Sequence, residues 1–274
     1  MCTHRNSYPT RGSFEDSTDC TDTGIARGLY TLRRAIRSLP TILAVIALTQ
    51  ATLANAGLAA HATPFNKPLQ GVTICVDPGH PSETSAGTET PDHTLTERHV
   101  NWVVSLLLRH FLREAGATVV MTKSYEKQFV TNQRRAEIAN AAHAELFLRL
   151  HCDYADESGF AVFYPNHAGT VRGHRGPSAS VMAASHRLAD ILHTGAMNSL
   201  GSDLSDRGVR GENQTAVGRK QGALTGSIFA KEPALTVEMC VLNQQHDIYF
   251  LKQRDGYRKL AVALFAGAQA CFPK

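Results

Sequence analysis

The chain lacks any apolar run long enough to cross a bilayer as a helix. Its strongest uncharged stretch, Leu39 to Leu48 (LPTILAVIAL), is ten residues long, against about 20 for a spanning segment. Charge of one sign is also scarce: 28 Lys and Arg face 24 Asp and Glu among 274 residues, for a net +4. That balance excludes a nucleic-acid partner as an expectation. No internal repeat is present, and no second domain or separate binding module is marked by a shift in composition. Cysteine is sparse, six in all.

What is there divides near residue 62. Arg33, Arg34 and Arg37 precede the apolar stretch, and Ala54-Asn55-Ala56 and Ala60-His61-Ala62 follow it. A basic start, a short apolar run and an A-x-A site are the features of a secretory signal peptide. Residues 31–62 are therefore expected to direct export and then be removed. Residues 1–30 are polar, carry Glu15, Asp16, Asp19 and Asp22, and are expected to be a disordered extension. From Thr63 to Lys274 there is enough chain for one full core. Loss of residues 1–62 removes six basic and four acidic side chains and leaves a net +2. It also leaves four cysteines, Cys75, Cys152, Cys240 and Cys271. Three of them sit in apolar strand-like runs, where a small buried thiol is the ordinary reading.

Along residues 63–274, strand and helix patterns alternate. Val72 to Val76, Thr118 to Met121, Glu145 to Leu150, Phe160 to Tyr164 and Ala234 to Val237 read as buried strands. Val100, Val103, Val104, Leu107 and Phe111 recur at helical spacing before Gly116. Asn132 to Ala142, Ser178 to Leu200 and Asp255 to Ala270 read as further helices, and Gly201 to Gly226 as a Gly-rich excursion. The pattern predicts a single α/β domain with a six-stranded, mostly parallel sheet and helices on both faces.

Ligands of open α/β sheets bind beyond the carboxyl ends of the strands. His80 follows the first strand, His151 the third and Glu238 the last, while Glu97 opens the helix after the first strand. Two imidazoles and a carboxylate form a catalytic zinc set with one position left for water, and a spare carboxylate is then needed to move a proton. Each residue has a plainer reading. His80 and His151 also fit loop and strand-end histidines, and Thr94-Leu95-Thr96-Glu97 fits a capping box. Glu238, after ALTV and before MCVL, is the hardest to explain structurally, because a carboxyl in apolar company is costly without a partner.

Val76-Asp77-Pro78-Gly79-His80, Glu97 with Asn101, Arg135 with Ala139-Asn140, Leu148 to His151, and Val237-Glu238 together resemble the zinc-dependent N-acetylmuramoyl-L-alanine amidases of the Amidase_3 type. The resemblance runs in order from about Gly71 to Phe250. It implies one zinc ion on His80, Glu97 and His151, with Glu238 as the catalytic glutamate. The implied substrate is peptidoglycan, cut at the amide between N-acetylmuramic acid and L-alanine of the stem peptide, in the periplasm or at the cell wall.

The chain departs from the family at Pro81-Ser82 after DPGH, at Arg149 and Asp153 around the second histidine, and at Cys240-Val241 after the glutamate. These changes leave every ligand in place. With only Cys152 to Ser158 between the third and fourth strands, the inhibitory helix seen in some relatives is not expected. Arg207 and Arg210, in the Gly-rich segment, are candidates to bind stem carboxylates. Two alternatives stay open on sequence: a non-catalytic wall-binding or regulatory protein with this fold, and a zinc carboxypeptidase acting within the stem.

Overall fold

The structure, a computed structural model, describes residues 67–274; the expected extension and signal peptide lie outside the described residues. The sheet begins with β1 (Thr73–Pro78), whose side chains alternate between two apolar layers. Ile74 and Val76 enter the larger core, while Cys75 enters a smaller one on the opposite face. β3 (Leu146–Asp153) does the same, with Leu146, Leu148 and Leu150 on one side and Phe147 on the other. A strand buried on both faces must be covered on both, and this one is.

Six strands form the main sheet in the order β2-β1-β3-β8-β4-β7. β2 (Thr118–Met121), β1, β3 and β8 (Ala234–Val241) run parallel; β4 (Phe160–Tyr164) pairs antiparallel with β8, and β7 (Asp206–Gly211) runs parallel to β4. The expected mostly parallel six-stranded α/β sheet is the one observed. β7 lies inside the segment expected to be a Gly-rich excursion, and a short hairpin, β5 (Gly169–Val171) with β6 (His174–Gly176), precedes it. Strands of three residues, or one written DRGVRG, carry too little apolar periodicity to be read from sequence.

Helices α1 (Glu97–Glu114), α3 (Ala179–Leu200) and α7 (Gly256–Ala270) pack on the larger core. α2 (Asn132–Ala141) covers the other face with Ala136 and Ala139 against Phe147. α1, α2 and α3 open on capping hydroxyls: Thr96, Thr131 and Ser178 each accept from a backbone N–H one turn ahead. The cap of α1 is Thr96, so Glu97 is the first helical residue and does not close a capping box; its carboxylate is free for other partners. α3 and α7 touch through two glycines, where a Cβ on Gly267 would lie 2.4 Å from the Leu192 carbonyl oxygen. Three short helices, α4 (Ala216–Gln221), α5 (Thr225–Ile228) and α6 (Gln245–Lys252), complete the fold. No helix among the described residues is long and apolar enough to cross a membrane.

Candidate active site

Because β1, β3 and β8 are adjacent and parallel, their carboxyl ends open on one rim. His80 lies two residues beyond β1, His151 near the end of β3, and Glu238 on β8 is the register partner of His151. Glu97 reaches the same place from the N-terminus of α1. Its Oε1 is 3.2 Å from His80 Nε2 and 2.9 Å from His151 Nδ1. One donor atom from each of the three residues falls within 4.8 Å of the other two. Tetrahedral bonds of about 2.1 Å place donors about 3.4 Å apart, so the set could hold a metal ion through two nitrogens and one oxygen. The His80 and His151 rings meet edge to face, with centroids 4.9 Å apart.

The scaffold around this cluster is polar and buried. Asp77 is fully buried; Arg135 Nη1 and Thr122 Oγ1 donate to its Oδ1 at 2.5 Å each, and Arg149 Nε donates to its Oδ2 at 3.2 Å. Burial opposes the charge on Asp77, but the two guanidiniums and the hydroxyl outweigh it and hold the carboxyl well below its usual range. The same Arg135 donates to the carbonyls of Pro78 and Pro81, at 2.8 and 2.9 Å. It thereby grips the backbone on both sides of Gly79-His80. Lys123 Nζ donates to the His80 carbonyl as well. These contacts hold His80 at φ 56°, a left-handed conformation that costs a non-glycine residue energy and clusters at functional sites.

Side-chain contacts set the ring orientations. His80 Nδ1 donates to the Ser85 carbonyl at 3.1 Å, which leaves Nε2 with its lone pair toward Glu97. Gly79 is required by the His151 ring: a Cβ there would stand 2.4 Å from Cε1. Glu97 also accepts from the Thr88 and Cys152 amides, at 2.9 and 3.2 Å. Burial works against its ionisation, yet the two histidines draw its pKa well below the carboxylate range. Burial lowers the pKa of His151 despite Glu97, whereas at His80 the Glu97 contact overcomes burial and raises it. Both imidazoles therefore compete for one carboxylate.

Glu238 differs in kind. Its Oε2 is buried with no hydrogen-bond partner among the described residues. Burial, reinforced by the charges of Asp153 and Glu97, pushes its pKa well above the usual value. With His80 and His151, it lines a cleft of about 950 Å³ that also takes in Tyr154, Arg149, Arg207 and Arg210. Arg207 donates to Asp153 at 2.8 Å and Arg210 to Glu157 at 2.6 Å, so both candidate arginines face the cleft while tied to acids. Residues 154–159 alone join β3 to β4. Asp247 pins that connection to β8, accepting from the Ser158 hydroxyl and from the Gly159 and Val241 amides.

The structure brings the sequence candidates His80, Glu97 and His151 together, with Glu238 on the same rim. Sequence reading noted Arg135 only within a motif and missed Lys123, Asp247 and the role of Asp77. Of Arg149 it recorded only an unusual residue; the structure makes it the second counter-ion of Asp77 and a donor to Asn132 Oδ1 at 2.7 Å. A charged residue inside a strand as apolar as ELFLRL was the one available signal for a buried ion pair.

The class these features define is an open, mostly parallel α/β sheet whose carboxyl rim carries a His-Glu-His cluster that could hold a metal ion, beside a cleft. More closely, residues 74–270 match the family described as N-acetylmuramoyl-L-alanine amidase, and the chain belongs to that family. It is 29% identical over 206 residues to the N-acetylmuramoyl-L-alanine amidase LytC of Bacillus subtilis, covering 75% of this chain and 36% of that one. The chain thus spans little more than a third of that relative. It is 25% identical over 226 residues to YqiI of the same organism, an uncharacterized protein, with 81% and 96% of the two chains covered. Among solved structures, Ami1 from Mycobacterium smegmatis shares the fold, with a TM-score of 0.62 and 19% identity over 74% of this chain and 98% of that chain.

Proposed function

We propose that this protein is an exported amidase that hydrolyses the bond between N-acetylmuramic acid and the L-alanine of peptidoglycan stems. In this reading His80, Glu97 and His151 hold one zinc ion. The observation that carries the reading is the pairing of a three-residue cluster with Glu238, whose Oε2 is buried with no hydrogen-bond partner among the described residues and which sits one strand away. Zinc, when bound, supplies a Lewis acid that polarises the scissile carbonyl and lowers the pKa of water to about 7. Glu238 takes the proton of the attacking water and later delivers it to the leaving alanine nitrogen. A carboxyl whose pKa is raised by burial suits both halves of that task. Glu97 holds the two imidazoles apart and in register, and the Asp77–Arg135–Arg149 network keeps the His80 turn in place. Arg207 and Arg210 bind carboxylates of the stem peptide along the cleft. Action outside the cytoplasm accords with the signal features of residues 31–62 and with a relative named as a probable cell wall amidase.

The test is product analysis. Zinc-loaded protein incubated with muropeptides is expected to release whole stems bearing a new L-alanine amine, detected by mass. Glu238→Gln should lower the rate by about 10²- to 10⁴-fold, the usual contribution of a positioned acid–base group, without loss of folding. Stems shortened at their far end would instead identify a carboxypeptidase. Intact muropeptides after exposure to zinc-loaded protein would leave a binding protein.

A further inference from the structure

The apolar setting of the cysteines marks them as packing thiols, and the structure buries Cys75, Cys152, Cys240 and Cys271, all with free sulfurs. Two of the four have an unusual neighbour: each other. Cys240 Sγ lies 3.3 Å from Cys152 Sγ. The contact follows from a slip in strand register. β3 and β8 pair His151 with Glu238, but two residues later Asp153 pairs with Val241, three residues beyond Glu238. One extra residue on β8 is thereby absorbed, and Cys240 stands beside Cys152. A disulfide bond of about 2.0 Å is reached by moving the sulfurs together by about 1.3 Å, within the range of small side-chain rotations. Cys152 Sγ also lies 3.6 Å from Asn101 Oδ1.

We propose that Cys152 and Cys240 form a disulfide that staples β3 to β8 directly behind the site. It would tie together the two strands that carry His151 and Glu238, one and two residues from the respective sulfurs. Both thiols are shut off from solvent, so exchange takes place while the chain folds, before the strands close. The oxidant is a disulfide of low molecular weight or on a protein, as oxidising compartments provide. The two cysteine S–H bonds are replaced by one S–S bond, the acceptor's S–S bond breaks, and the two protons and two electrons end on its paired thiols. The bridge closes a loop of 88 residues, and a loop of that size makes the oxidised protein melt about 10 °C higher than the reduced one.

The inference takes its cellular oxidant from the export reading, but its test does not. The full chain is unfolded under reductant and refolded with zinc in mixed reduced and oxidised glutathione. Free thiols are then alkylated and the protein digested without reduction. The expected result is a peptide pair joining Cys152 to Cys240 that disappears on reduction, with a melting temperature about 10 °C above that of protein refolded under reductant. In Cys240→Ala that redox-dependent difference should vanish. Recovery of Cys152 and Cys240 as alkylated free thiols, or their linkage to any of the other four cysteines of the full chain, overturns the proposal. Should refolding yield too little soluble protein, the same digest on chain exported to a bacterial periplasm gives the same two readings.

Discussion

Asp77→Asn is the sharpest probe of the scaffold, because one carboxylate neutralises two guanidiniums that have no access to water. Arg135 and Arg149 side chains are 1% and 4% exposed, and both are ion-paired to Asp77. Asparagine fits the same space but brings no charge and only one acceptor oxygen. Breaking a buried ion pair from one side costs about 3–5 kcal/mol. In a domain of this size each kcal/mol lowers the melting temperature by about 2–4 °C, so a fall of about 6–20 °C is expected in thermal unfolding followed by circular dichroism. The pH dependence gives the argument a second edge. The folded-state pKa of Asp77 is depressed, so its contribution is fully present above the unfolded value of about 3.9 and is lost as pH falls through the folded value. The gap between wild type and variant should therefore be constant from pH 5 to 8 and narrow below about pH 4. On the proposed zinc reading, zinc affinity should weaken about 10- to 100-fold, the usual effect of removing an outer-shell contact, because Arg135 also clamps Pro78 and Pro81 around His80. A variant melting within 2 °C of wild type at pH 7 would refute the view that this network carries the site.

Two further outcomes are expected. Gly79→Ala should fold but lose zinc affinity, measured by competition with a chromogenic chelator, because its Cβ would stand 2.4 Å from the His151 ring; unchanged affinity would mean the ring sits elsewhere. Glu212 is buried and accepts from the Ser227 hydroxyl and the Leu224 amide, yet burial lifts its pKa to about 7. A raised folded value means the native state binds the extra proton, so this group's stabilisation is present below about pH 4.3 and is lost as pH rises through 7. The loss is on the order of 3 kcal/mol, and Glu212→Gln should flatten that stretch of the stability–pH curve in urea unfolding.

Much of the fold is legible in the residues themselves. The runs VTICV and ELFLRL are apolar at every step or nearly so, which demands cover on both faces, and the structure supplies it with α1, α3 and α7 on one side and α2 on the other. The candidate positions are equally readable, since His80, His151 and Glu238 each stand at the carboxyl side of a predicted strand. Less visible were β7 and the β5–β6 hairpin, whose residues are polar or glycine. The capping box that begins at Thr94 also places the cap two residues ahead of Thr96, where the structure has it. Thr94 and Thr96 are both competent caps, and only the backbone path, extended at Thr96, chooses between them.

By itself, then, the sequence determined the class of fold and the positions of the candidate donors, because burial periodicity and strand-end position are local properties. The tertiary structure alone decided that β1, β3 and β8 lie side by side, which brings His80, Glu97 and His151 within reach of one point. It alone set two arginines from distant segments on Asp77, and one sulfur against another across a register slip. Those relations depend on strand order and register, which are chosen by the packing of the whole chain rather than by any single stretch of it.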